Sequence, residues 1–98
     1  MRVPAAVGVL GEPVVEVVRY HVYGLAPDHP DRAHAAVAVS RTPGGRWRVG
    51  AEGEWVDQSG APSPSPVEMD HDTALGAARA AARDRASVLA ALRAGRGR

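Results

Sequence analysis

The sequence predicts an α+β domain: a three-stranded antiparallel sheet, with room for a fourth strand, packed against one long C-terminal helix in the order β-β-β-α. Three observations carry that expectation. Residues 33–41 and 46–55 alternate apolar and polar with a period of two, as strands with one wet face do. Residues 69–95 repeat alanine, leucine and arginine at helical spacing. The chain has 98 residues, enough for a single core. Residues 1–94 are therefore taken as one domain, with a Ser/Pro connector at 57–69 and a basic tail at 95–98.

Composition narrows the chemistry. There is no cysteine, so disulfides, thiolate zinc sites and a cysteine nucleophile are excluded, and a reduced cytoplasm is the expected location. Lysine, isoleucine, asparagine and phenylalanine are also missing. Those residues have AT-rich codons, which points to a high-GC bacterial genome and explains an all-arginine basic set as well as phosphate binding does. Twelve arginines against eleven carboxylates give a net charge of +1. The sequence pI of 8.4 is below the value of roughly 9 expected of a nucleic-acid-binding domain. The opening "MRVPAAVGVLGEP" is broken by Pro4, Gly8, Gly11 and Pro13 and is too short to span a bilayer. It reads as an ordinary start, with a short edge strand as its one structural option, and no membrane partner is expected.

The first strand is "PVVEVVRYHVYG" (13–24), β-branched and aromatic. Val14, Val18, Tyr20 and Val22 share one face; Val15, Val17, Arg19, His21 and Tyr23 share the other. Both faces are partly apolar, so the strand is expected to be central or covered on both sides. "GLAPDHPDR" (24–32) is a loop. In "AHAAVAVSR" (33–41), Ala33, Ala35, Val37 and Val39 lie opposite His34, Ala36, Ala38 and Ser40.

"TPGG" (42–45) is a turn, and "RWRVGAEGEW" (46–55) follows as one strand. Continuous alternation puts Trp47, Val49, Ala51, Gly53 and Trp55 on the covered face. It puts Arg46, Arg48, Gly50, Glu52 and Glu54 on the wet one. For Val37 and Val39 to share a face with Trp47 and Val49, paired residue numbers must have an even sum. That demands a three- or five-residue loop with a bulge at Gly44 or Gly45.

The helix begins at Asp70 or Asp72 as N-cap and stops at Gly95. Ala74, Leu75, Ala78, Ala81, Ala82, Val88, Leu89 and Leu92 fall on one arc. Arg85 falls inside it and is expected to snorkel to the edge, with a sheet carboxylate such as Glu16 as its alternative partner. The expected core is Val18, Tyr20, Val22, Val37, Val39, Trp47, Val49, Trp55, Leu75, Leu89 and Leu92.

No motif carries catalysis. The serines sit in no nucleophile elbow, and "GGRWRVG" does not precede a helix. Glu52/Glu54 reads as a solvated edge and Asp70/Asp72 as helix capping. His29, His34, His71 and Asp72 form a metal site only if the loop and the helix start meet in space, and their spacing matches no strong zinc pattern. No cofactor is expected. For nucleic acid, the candidates are Arg41, Arg46 and Arg48 beside the hairpin and Arg79 and Arg83 on the outer helix face. Arg93, and Arg96 and Arg98 of the tail, add to them. Against them stand Glu52 and Glu54 on the face of Arg46 and Arg48.

The layout resembles a set of short, uncharacterised actinobacterial proteins with a β-β-β-α fold, related in shape to the double-stranded-RNA-binding domain. The likeness covers about residues 14–92 and rests on "DRAHAAVAVS", "RVGAEGEW", the Pro-containing connector and "VEMDHDTALGAARAAA". The resemblance implies the fold and assigns no catalytic residues. It departs from duplex-RNA binders at the helix start, where their lysines are replaced by Asp70, His71 and Asp72, two carboxylates that repel phosphate. The expected function is a non-enzymatic interaction module whose partner is another protein or a second copy of itself, as a homodimer. Duplex nucleic-acid binding is the alternative, and a small metal-dependent enzyme the third.

Overall fold

The computed structural model describes residues 13–96. Five strands form one antiparallel sheet in the order β1-β2-β3-β4-β5. They are β1 (Arg19–Tyr23), β2 (Ala36–Arg41), β3 (Trp47–Ala51), β4 (Glu54–Val56) and β5 (Pro62–Ser63). A 3-10 turn, Arg32–Ala35, leads into β2, and one helix, α1 (His71–Arg96), covers one face. The α+β architecture of a sheet against a single C-terminal helix is thus present, with two more strands than the expected minimum. Residues 1–12, with their expected edge strand, and residues 97 and 98 of the tail lie outside the described residues.

The centre of the core follows from alternation. In β2 only Val37 and Val39 are fully buried, and they pair with Val22 and Tyr20 on one side. Val39 also pairs with Val49 of β3, and Val49 with Val56 of β4. Helix alanines 74, 77, 78, 81 and 82 close this row from above. With no side chain beyond Cβ, they let the helix lie near the sheet. Ala77, outside the expected arc, is buried, and Leu75 and Leu89 are only half-buried.

The β2–β3 hairpin has the expected parity. Its pairs run from Ala38↔Gly50 to Arg41↔Trp47, and Gly45 takes φ +83°. The stretch 46–55 does not continue as one strand. Glu52 (φ 47°) and Gly53 (φ 82°) form a two-residue hairpin loop with both φ positive, the type I′ pattern. Ala51 then faces Glu54, Gly50 faces Trp55, and Val49 faces Val56. Beyond the turn the parity of residue numbers is exchanged, so Val56 enters the core and Trp55 goes to the opposite side. Trp55 is 37% exposed. Its expected core place is therefore corrected.

Two other expected core residues lie outside, for a reason of length. Val18 is 54% and Leu92 56% exposed. The 26-residue helix is about 39 Å long, whereas β2 with six residues spans about 20 Å. Near the end of the helix, Val88 and Leu92 stand with Leu89 over an open cleft of about 370 Å³ shared with Ala51, Val56 and Pro62. Likewise β2 turns away after Arg41, whose N–H donates to the Val18 carbonyl (2.8 Å), so residues before Val18 find no neighbouring strand. The segment 13–18 is exposed throughout, and the strand expected over 13–24 shortens to Arg19–Tyr23, at an edge of the sheet among the described residues.

The connector 57–69 is built in. Asp57 Oδ1 accepts from Ser59 N (2.9 Å), Ser59 Oγ (2.6 Å) and Ala61 N (3.1 Å). Pro62 and Ser63 form β5, and Met69 exchanges both backbone hydrogen bonds with Trp47. Gly60 approaches the helix so closely that a Cβ there would lie 2.7 Å from that of Ala80. On the other flank a Cβ at Gly24 would overlap the Ala82 carbonyl. At the helix start, Asp70 is the N-cap: Oδ1 accepts from Thr73 N (2.8 Å). The helix passes through Gly95 to Arg96.

Two predictions follow from these contacts. Gly60→Ala, which meets both the Ala80 contact and a φ of +91°, is expected to destabilise by about 2–3 kcal/mol. Gly76→Ala, at an exposed helical site with open space around it, is expected to stabilise by about 0.5–1 kcal/mol. Urea denaturation of both variants checks the opposite signs.

A third prediction concerns acid. The Ser59 hydroxyl, helped by the backbone N–H groups of Ala61 and Ser59, holds the Asp57 carboxyl below its ordinary range. The backbone N–H and then the hydroxyl of Thr73 do the same for Asp70. Carboxyls depressed in the folded state contribute stability above the unfolded value, near pH 4, and lose it as pH falls through the lower folded values. The double variant Asp57→Asn, Asp70→Asn should therefore lose less stability than the natural chain between about pH 5 and pH 2. Denaturation midpoints across that range measure it.

Candidate binding surface

The helix covers the side of the sheet that carries Val37, Val39 and Val49, so the residues between them face away from it. The pairing arranges these into cross-strand rows. One row is Arg19–Ser40–Arg48; the next is His21–Ala38–Gly50–Trp55–Ser63; the third is Tyr23–Ala36. Every outward residue of β2 is small. The result is a trough along β2, floored by Ala36, Ala38, Ser40 and Gly50. On one side stand Arg19, His21 and Tyr23, and on the other Arg48 and Trp55. Its deepest part is a cleft of about 300 Å³ between Arg19, Arg48 and Trp55, reaching to the Glu52–Glu54 hairpin.

The walls combine rings and guanidinium groups. The Arg32 guanidinium lies 3.6 Å from the Tyr23 ring centroid, and that of Arg48 lies 5.9 Å from Trp55. The His21 and Tyr23 rings meet edge-on at 6.0 Å. Nε of both Arg32 and Arg48 is buried without a hydrogen-bond partner among the described residues. Arg48 Nη2 is 3.0 Å from Glu68 Oε2, and Arg46 Nη2 donates to the Glu68 carbonyl (3.2 Å). Arg19 has neither an ion pair nor a side-chain hydrogen bond among the described residues. The Trp55 ring also has a packing role, because it lies over Gly50, whose Cβ would stand 3.7 Å from it.

The five arginines singled out in the sequence do not form one surface. Arg46 and Arg48 border the open face. Arg41 turns to Glu16 (3.5 Å), and Arg79 and Arg83 belong to the helix on the other side, beside Val22, Tyr23 and Gly24. Glu52 and Glu54, expected to share the face of Arg48, are displaced by the turn between them. Glu52 binds the Arg85 guanidinium and lies 3.8 Å from His34 Nδ1. Arg85 thus finds Glu52, and through Nε the His34 carbonyl (2.9 Å), and does not use Glu16. Arg93 pairs with Asp31 at 3.0 Å.

A second constellation closes the opposite end of the core. The Tyr20 hydroxyl and His71 Nε2 are 2.6 Å apart, and the Trp47 ring lies tilted against both, with its centroid 4.7 Å from that of His71 and 5.9 Å from that of Tyr20. Burial raises the Tyr20 phenol above its ordinary value, with the Arg79 charge opposing it. The cluster fastens the helix start to β1 and β3. Among the described residues no three His, Asp or Glu side chains come together as a metal would need, and His29, His34 and His71 lie apart. His29 Nδ1 instead accepts from Asp31 N (3.0 Å). No described helix is long and apolar enough to cross a membrane.

Sequence reasoning missed Arg19, Tyr23 and Trp55 as a surface. The one available signal was the Glu-Gly pair at 52–53, a weaker turn signature than Asn-Gly or Asp-Gly. No family model, no curated protein and no solved structure matches the chain.

Proposed function

We propose that this chain is a non-enzymatic interaction module that pairs with a second copy of itself along the outer edge of β1. The supporting observation is the segment entering that strand, where Val14, Val15, Val17 and Val18 are 82, 93, 61 and 54% exposed. Among the described residues β1 has a strand on one side only, which leaves the backbone groups on its outer side to pair. Four valines in a β-favouring run, left uncovered beside an open edge, have the character of an unfilled strand pair.

The run is self-complementary. Two copies related by a two-fold axis through an antiparallel pair keep like faces together only if opposed residue numbers have an even sum. Registers centred on Glu16 or Arg19 oppose like charges and are disfavoured. Those centred on Val17 or Val18 oppose valine to valine. The absence of cysteine accords with a reducing, cytoplasmic setting for such a module.

Sedimentation over a concentration series should show a reversible monomer–dimer equilibrium. Val17→Arg should shift it to monomer in either favoured register, because the new charge meets its own copy or Arg19 of the second chain. Val17 is exposed, so the circular dichroism spectrum should not change. A chain that stays monomeric up to its solubility limit, or a dimer indifferent to Val17→Arg, would rule the pairing out.

A further inference from the structure

The uncovered face of the sheet is a different surface from the β1 edge, and its chemistry points to a different ligand. We propose that the trough along β2 binds single-stranded nucleic acid, with bases on Trp55 and Tyr23 and phosphates on Arg19 and Arg48. The charge balance of the face supports this occupant. Arg19 and Arg48 line it and Arg32 is held there by Tyr23; of the carboxylates beside it, Glu68 is engaged by Arg48 and Glu52 by Arg85, and Glu54 stands at the hairpin end of the cleft. Net charge over the whole chain is only +1, so the positive charge on this side is local. The hairpin at Glu52–Gly53 takes Glu52 and Glu54 out of the cross-strand rows to one end of the cleft and brings Trp55 into its wall.

The rings decide between anionic partners. An acidic peptide would use the guanidinium groups and leave the aromatic walls idle. A duplex would present phosphates but keep its bases stacked inside, out of reach of Trp55 and Tyr23. A single strand satisfies both sets at once: a cationic groove follows the backbone while aromatic rings stack exposed bases. Ala36 to Ser40 gives the floor a length of about 14 Å, with no side chain tall enough to block an extended chain. Arg19, without a side-chain partner among the described residues, supplies a free donor at the cleft.

Fluorescence anisotropy on the full chain tests this. The probes are labelled oligothymidine and oligouridine of about ten nucleotides, and a duplex of the same length, at about 50 and 200 mM salt. Single strands of either sugar should bind at the lower salt and weaken at the higher. Trp55→Ala should raise Kd at least about tenfold. That variant also uncovers Gly50, so Arg19→Glu, at an exposed position without a partner, provides the second measurement and should weaken binding comparably. Arg83→Glu, on the helix side, should leave it unchanged. The proposal is overturned by any of four results: no anisotropy change at the lower salt, a duplex bound as tightly as the single strand, equal loss in Arg83→Glu, or displacement by polyglutamate of matching length.

Discussion

Glu52 and Gly53 reverse the chain with both φ angles positive, and the character of each sheet face depends on that reversal. A two-residue loop of this type matches the right-handed twist of the flanking strands. It also exchanges the parity of everything after it. Val56 enters the core opposite Val49, and Trp55 leaves it opposite Gly50. Glu52 adopts the left-handed region at a cost of about 1–2 kcal/mol. Its side chain is held from the helix by Arg85, which also reaches the His34 carbonyl at the start of β2. The turn, the helix and the β2 entrance are therefore fastened to one another by a single arginine.

The helix sets the second constraint. Its buried face is alanine, so it sits low on the sheet and leaves little volume for large side chains. The fully buried side chains of greatest size are three valines, 37, 39 and 49. Stability in such a core comes from close fit more than from apolar area. Gly24 and Gly60 bring a loop against the helix backbone on each flank. The Tyr20–His71–Trp47 cluster secures one end. The same economy leaves apolar residues without cover where elements outrun the core, at Val14 to Val18 and at Val88 and Leu92.

How much of this was legible in the sequence differs by element. Val37 and Val39 could be assigned because β2 alternates without interruption, and the parity of the 42–46 loop followed from requiring one apolar face. The helix cap could be narrowed to Asp70 or Asp72, since a carboxylate there can accept from an N–H two or three residues on, and the bond from Thr73 N selects Asp70. Trp55 could not be placed. An alternating pattern carries no mark of a reversal when the turn itself continues the alternation, and "GAEGEW" does so. The exposure of Val18 and Leu92 was hidden for another reason: periodicity assigns a face, but burial also needs a neighbour, and where β2 ends is not written in the first strand or in the helix. The open face, with Arg19, Tyr23 and Trp55, became visible only once the five strands were in register, because these residues come from β1 and β4, which are not neighbours.

The side on which Trp55 lies is the point where this account can be checked most directly. Nuclear Overhauser contacts from the Trp55 indole of the natural chain distinguish the two arrangements. The hairpin at Glu52–Gly53 predicts contacts from the ring to the α-protons of Gly50 and none to the methyl groups of Ala74, Ala78 or Ala81. Contacts between Trp55 and those helix alanines would mean that residues 46–55 run on as one strand, and would contradict both the composition of the open face and what is proposed to bind there.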